Sequence, residues 1–140
     1  HDVMEAIGDN IYGDWADDKE ADEAIRVAFT KHDFLMDPHS AVGLSVYKKY
    51  LRADKPHSNK SILACTASPY KFSGDVLAAL TSSKVRGVED SRLPDYLERH
   101  SEERQPEAIA KLNDLPILHK TECAPAGMEQ ESLNWLKTQI

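Results

Sequence analysis

The sequence predicts an α/β fold in which a small, mostly parallel sheet is covered by helices. Two short apolar segments, Ser61–Ala67 and Pro116–Cys123, have the length of strands and alternate with segments of helical periodicity. The first of them has an uninterrupted apolar centre from Ile62 to Cys65, as expected for a strand covered on both faces. The 140 residues suffice for one domain with its own core, which we expect to span 1–140.

The amino-terminal part is predicted to be helical. A short helix ends near Gly8, and a turn or extended piece follows it over 10–15. The acidic segment 16–33 predicts a helix whose inward face consists of Ala21, Ala24, Ile25, Ala28 and Phe29. Asp17 and Glu20 form a capping pair at its start. The run of acidic residues therefore indicates a solvated helix start and not a metal site.

The segment DPHSAVG, Asp37–Gly43, predicts the start of the next helix. It follows a short apolar piece, 34–36, and Asp37 caps the helix while Pro38 is its first residue. The apolar face is then continued by Leu44, Tyr47 and Leu51. Small side chains on the first turn also allow a second interpretation, in which a planar or anionic ligand approaches the helix N-terminus. A polar loop over 55–59 ends this part.

Helices are also predicted after the first strand. Segment 72–83 predicts a helix with Val76, Leu77 and Leu80 inward, and Pro94 and Pro106 break segment 86–116 into two short helices. The closing helix, over 125–140, points four apolar residues inward: Met128, Leu133, Leu136 and Ile140. A sheet of two strands is marginal alone. Either helices bury it heavily, or further strands belong to another part of the protein.

Composition excludes several classes of function. A net charge of −7 disfavours nucleic acid and anionic membranes as partners, and no apolar run reaches the length of a membrane span. The six histidines and scattered glycines show neither metal-ligand spacing nor a phosphate loop. We expect Cys65 and Cys123 to be small buried residues of a reduced, cytoplasmic protein.

The segment LACTASPYKF, Leu63–Phe72, carries polar groups at the end of the predicted strand. Thr66 and Ser68 lie there, and Pro69 stops the strand. Ligands of open α/β sheets bind outside the carboxyl ends of strands, so these hydroxyl groups are candidates for ligand contact. A strand-to-helix turn in which they serve as caps is an equally good interpretation.

The two motifs occur together, in this order and spacing, in threonine synthases, which are pyridoxal-phosphate enzymes of the tryptophan-synthase-β fold group. DPHSAVG resembles that family's Asp-Pro-His-Thr/Ser-Ala-Val-Gly, and CTASPYKF resembles its Thr-Ala-Ser/His-Pro-x-Lys-Phe. The flanking segments, including 105–123 and the last helix, are similar as well. The resemblance covers nearly the whole chain, and it is to the C-terminal segment of the family, part of the large domain of a fold-type II enzyme.

The resemblance implies the roles of particular residues. Thr66 matches the hydroxyl residue that faces the pyridine nitrogen of pyridoxal phosphate, while Asp37 and His39 match a motif near the cofactor. Ser68 lies where other members carry histidine, and Lys71 belongs to the Pro-x-Lys-Phe motif. The family's Schiff-base lysine, in a Ser-Phe-Lys-Asp context, does not occur in these 140 residues. We therefore expect no catalytic residue in this chain and no cofactor binding by it alone.

The family reaction converts O-phosphohomoserine and water to threonine and phosphate. The resemblance implies that the enzyme's N-terminal part is the partner of this segment, which alone should be inactive and, through an apolar cut surface, prone to self-association. Two alternatives remain open. One is a related phospholyase acting on another phosphorylated amino compound. The other is a non-catalytic interaction domain.

Overall fold

The structure is a computed structural model that describes residues 11–53, 60–81, 85, 87–118 and 120–138. These residues form the helices α1 (Asp18–His32), α2 (Pro38–Arg52), α3 (Ser73–Thr81), α4 (Leu93–Ser101), α5 (Glu107–Ala110) and α6 (Met128–Lys137). Short 3₁₀ turns occur at Pro69–Phe72, Asp90–Arg92, Leu112–Asp114 and Pro125–Gly127. Within the described residues there is no β-strand, so the predicted α/β fold with a parallel sheet is wrong for them. The helix predicted to end near Gly8 and the loop predicted over 55–59 lie outside these residues.

Helix α1 forms as its sequence predicts. The Asp17 carboxylate accepts a hydrogen bond from the Glu20 backbone N–H at 2.8 Å, and the Glu20 carboxylate accepts one from the Asp17 N–H at 3.1 Å. This reciprocal capping box confirms the predicted pair. The predicted inward face is buried at Ala21, Ala24, Ile25 and Ala28, with Phe29 packed at the edge of the core.

The core lies where α1 packs against α2 and α3. The Ser45 hydroxyl of α2 donates a hydrogen bond to the Glu20 carbonyl of α1 at 3.1 Å. On the other side, Arg26 Nε of α1 donates to the Ala79 carbonyl of α3 at 3.2 Å. Helix α4 packs on α3 and contributes Leu97, which is fully buried. The two sequence motifs belong to this three-helix unit: DPHSAVG forms the start of α2, and LACTASPYKF directly precedes α3.

In the described residues, both segments predicted as strands are neither helical nor paired, and both are largely exposed. Residues 60–66 are exposed along their whole length, and the Ile62 side chain is 96% exposed. Ile117 and Leu118, in the second segment, are also exposed. A strand requires a neighbour that pairs with its backbone N–H and C=O groups. Within the described residues neither segment has such a neighbour, so apolar composition alone did not produce a strand.

The carboxyl-terminal part departs from the predicted burial. Helix α6 forms, but the described residues of its predicted inward face, Met128, Leu133 and Leu136, are exposed. Cys65 and Cys123 are also exposed, not buried as expected. The two cysteines lie within the two unpaired segments, and α6 follows the second of them. The described part of the chain provides no layer that covers these residues.

The two prolines that were expected to divide segment 86–116 into two short helices lie at the N-termini of those helices. Pro94 lies in the first turn of α4, and Pro106 is the N-cap residue of α5. A proline fits the first turn of a helix because the N–H group it lacks has no partner within the helix there. The expected short helices are therefore present, with the prolines at their N-termini.

Candidate functional site

The N-terminus of α2 is built around the buried carboxylate of Asp37, which is 1% exposed. Its Oδ1 accepts hydrogen bonds from the backbone N–H groups of His39, at 2.9 Å, and of Ser40, at 3.3 Å. Its Oδ2 accepts a hydrogen bond from the Ser40 hydroxyl. The predicted cap is confirmed, and these hydrogen bonds tie the carboxylate to the first turn of α2.

Two opposing effects act on the pKa of Asp37. Burial disfavours the charged carboxylate and raises the pKa. The hydrogen bonds donated by the Ser40 hydroxyl, the backbone N–H groups of Ser40 and His39, and the His39 side chain lower it. The hydrogen bonds outweigh the burial, and the pKa lies below its ordinary value of 3.8. The carboxylate is therefore ionised at neutral pH.

The His39 side chain links the two motifs. Its Nδ1 lies 3.3 Å from Asp37 Oδ1, and its ring packs at a tilt against the Phe72 ring with 4.9 Å between the centroids. The side chain is nevertheless 69% exposed. The Asp37 carboxylate and the Phe72 ring thus orient the imidazole of His39, while much of the imidazole stays exposed.

A second contact joins the motifs one turn further along α2. A Cβ atom added at Gly43 would lie 3.1 Å from Leu63 Cδ1, so the Leu63 side chain packs directly on the backbone of α2. Thr66 lies in the chain between Leu63 and Phe72, both of which contact the first two turns of α2. The structure therefore brings DPHSAVG and LACTASPYKF side by side.

Thr66 itself is exposed at the end of the extended segment. The hydrogen bonds of the Asp37 carboxylate go to His39 and Ser40, and within the described residues none joins Thr66 to Asp37 or His39. The structure thus brings Asp37 and His39 together, and it forms no direct hydrogen bond between Thr66 and either of them. Because Thr66 is exposed, its side chain is accessible to a ligand.

Other residues of LACTASPYKF have structural partners. The Ser68 Oγ accepts a hydrogen bond from the Tyr70 N–H at 3.3 Å and so caps the turn Pro69–Phe72. Tyr70 is buried, and its hydroxyl donates to the Glu103 carbonyl. Ser68 therefore acts as a cap, which was one of the two interpretations of its sequence. The supporting roles of Leu63 and Phe72 were missed, although both apolar residues lie within the quoted motif.

We expect Gly43→Ala to raise the free energy of unfolding of this chain by about 0.5 kcal/mol. Alanine is more favourable than glycine inside a helix by about 1 kcal/mol. The new methyl group would meet Leu63 Cδ1, the flexible end of a partly exposed side chain, which can move by a few tenths of an ångström at a smaller cost. Urea unfolding of the two proteins measures the difference.

The matched control for this contact is the same substitution in a Leu63→Ala background. With the Leu63 side chain removed, Gly43→Ala should give the full gain of about 1 kcal/mol. Gly43→Ala could instead destabilise the chain when Leu63 is present and not when Leu63 is replaced by alanine. That result would show that the segment around Leu63 cannot move to accommodate the new methyl group.

One comparison with known proteins identifies the family. A protein-family model described as threonine synthase, C-terminal, matches residues 40–121, which is more than half of the 140-residue chain. The chain belongs to the threonine synthase C-terminal family. This finding confirms the resemblance stated from the two motifs.

The residues matched to the threonine synthase family include much of the site. They begin at Ser40, on the first turn of α2, and contain Gly43, Leu63 and Thr66. Asp37 and His39 lie immediately before them, and the contacts described above tie both residues to the matched part. The family match thus extends over the helix, the extended segment and the contact that joins them.

Two further properties of the described part bear on this threonine synthase segment. Among its residues, the side chains of His, Cys, Asp and Glu form no group of three or more that could hold a metal ion. No helix found there has the length and apolar character needed to cross a membrane.

Proposed function

We propose that this chain is the C-terminal part of a threonine synthase that converts O-phosphohomoserine and water to threonine and phosphate with pyridoxal phosphate. The family match over residues 40–121 carries the proposal. It is supported by the packing of the two motifs against each other through Gly43 and Leu63. The proposal also places the enzyme in the cytoplasm.

The residues present fit one edge of the cofactor. Pyridoxal phosphate, when bound, supplies an electron sink for carbanion chemistry. The exposed Thr66 hydroxyl can donate a hydrogen bond to the pyridine nitrogen, and as a neutral group it does not enforce protonation as an aspartate would. This moderates the electron sink and so favours β,γ-replacement, in which phosphate leaves the γ-carbon and water adds at the β-carbon. In this proposal His39 lies near the same edge of the cofactor as Thr66, and Asp37 orients the His39 ring.

The cofactor's other contacts are not provided by these 140 residues. The sequence contains neither a Ser-Phe-Lys-Asp motif for the lysine that anchors the cofactor nor a glycine-rich phosphate loop. In our proposal, the N-terminal part of the same enzyme supplies both and covers the exposed Ile62, Ile117 and Leu118. The chain alone is then inactive, and its uncovered apolar residues favour self-association.

A reconstitution experiment tests this proposal. The purified chain is mixed with pyridoxal phosphate and O-phosphohomoserine, and threonine and phosphate are measured. We expect no product from the chain alone and product from the full-length enzyme that contains it. Threonine formation by the chain alone would overturn the proposed inactivity. A full-length enzyme that releases phosphate only from another phosphorylated amino compound would overturn the proposed substrate.

A further inference from the structure

A cleft with a volume of about 310 Å³ opens beside Lys71 on the turn Pro69–Phe72. The other walls are the turn Asp90–Arg92, the start of α4, the loop after α4, and α5 with the turn that follows α5. The volume lies at the lower end of the range for small-molecule sites, about 300–1,000 Å³. The reaction proposed above assigns no role to this cleft or to Lys71.

The walls of the cleft are held by internal hydrogen bonds. The Gln105 side-chain amide donates to Asp95 Oδ1 at 2.9 Å, and the Asn113 side-chain amide donates to the Ser91 carbonyl at 2.9 Å. Behind them, the buried Tyr70 hydroxyl donates to the Glu103 carbonyl. These bonds join four separate stretches of the chain, so the cleft has a defined shape.

Two charged groups of the cleft have no partner of their own. Within the described part of the chain, neither the Lys71 ammonium nor the Asp90 carboxylate forms an ion pair or a side-chain hydrogen bond. Apolar side chains, including Ile109 and Leu112, line the same space. The cleft therefore offers one free cation, one free anion and an apolar wall.

We propose that this cleft binds a small zwitterionic α-amino acid with an apolar side chain. Lys71 receives the ligand's carboxylate, Asp90 receives its ammonium group, and the side chain packs against Ile109 and Leu112. Charge selects this class: the carboxylates of Asp90 and Asp95 repel a purely anionic ligand, and Lys71 repels a purely cationic one. This inference goes beyond the proposed enzyme reaction and does not depend on it.

Titration with L-valine, followed by NMR of the 140-residue chain, tests the proposal. We expect saturable shifts of the resonances of residues that line the cleft. N-acetyl-L-valine lacks the positive charge and L-valine methyl ester lacks the negative one, so each should bind at least about tenfold more weakly. Equal binding of L-valine and either analogue, or shifts that do not saturate, would overturn the proposal.

Charge-removing variants give the second test. Lys71→Gln and Asp90→Asn should each weaken L-valine binding by about tenfold. Both residues are exposed, so neither change should disturb folding. The matched controls, Lys31→Gln and Asp18→Asn, change exposed residues of α1 that do not line the cleft and should bind L-valine like the unmodified chain. Loss of binding in the controls as well, or its retention in both cleft variants, would contradict the assigned contacts.

Discussion

Replacing Asp37 with alanine is expected to lower the free energy of unfolding by about 2–3 kcal/mol. The carboxylate is buried and accepts hydrogen bonds from two backbone N–H groups and from the Ser40 hydroxyl. Alanine leaves the Ser40 donors, in a residue that is itself buried, without an acceptor. Loss of the cap and unsatisfied buried donors act together, so the effect should exceed that of an ordinary N-cap substitution. Urea unfolding, monitored by the helical circular dichroism signal, measures it.

Asp17→Ala is the matched control for this substitution. Asp17 caps α1, a helix of the same length as α2, but Asp17 is exposed and water can replace its hydrogen bonds. The expected loss is about 1 kcal/mol, a typical value for an N-cap residue. If the two substitutions lower the free energy of unfolding by the same amount, the burial of Asp37 adds nothing to the stability that its cap contributes.

The contribution of Asp37 should also depend on pH. Because its pKa is lower in the folded chain than its ordinary value of 3.8, the folded state favours the ionised form. The resulting stability is present above the unfolded pKa and is lost as the pH falls through the folded pKa. The stability difference between the unmodified chain and Asp37→Asn should therefore be constant well above the ordinary value of 3.8, and should shrink as the pH falls below that value. A constant difference would show that the charge of Asp37 does not stabilise the fold.

Local features of the fold could be predicted from the sequence because they depend on neighbouring residues. The capping pair Asp17 and Glu20 and the cap Asp37 are each decided within a few residues. Helical periodicity likewise identified the buried face of α1 and placed Val76 and Leu77 of α3 in the core. These predictions are confirmed.

The sheet could not be predicted in the same way because it depends on residues far away in the chain. The apolar run from Ile62 to Cys65 has the composition of a strand, but pairing requires a second backbone alongside it. The same holds for the apolar residues of α6, whose spacing describes a face without describing what covers that face. The apolar composition of these residues correctly indicates that they favour burial. Composition alone does not indicate whether the described part of the chain buries them.

The site was predicted in part. The pairing of DPHSAVG with LACTASPYKF rested on resemblance, and the structure adds two contacts between them, Gly43 to Leu63 and His39 to Phe72. Neither contact has a periodic signal, since each joins residues about 20 or more positions apart. The assignment of Thr66 to the pyridine nitrogen stays a prediction.

In the full-length enzyme that carries this segment, Thr66→Val is expected to lower kcat for threonine formation by about tenfold. Valine has nearly the shape of threonine but cannot donate a hydrogen bond. Thr66 is exposed in this chain, so the change should not affect its folding. The absorption band of the bound cofactor should shift in the same variant, because the hydrogen bond to the ring nitrogen affects the ring's electronic state. Steady-state kinetics and the absorption spectrum of the purified enzyme measure the two effects.

Two further variants separate the hydroxyl from the methyl groups. Thr66→Ser keeps the donor and should retain most of the activity and the original absorption band. Thr121→Val removes an exposed hydroxyl from the second extended segment and should change neither. If Thr66→Ser were as impaired as Thr66→Val, the shape of the side chain would matter and its hydrogen bond would not. A fully active Thr66→Val enzyme with an unchanged spectrum would place the partner of the pyridine nitrogen elsewhere. His39 would then have to be tested in its place, since its side chain is largely exposed and packs against Phe72 of the same motif as Thr66.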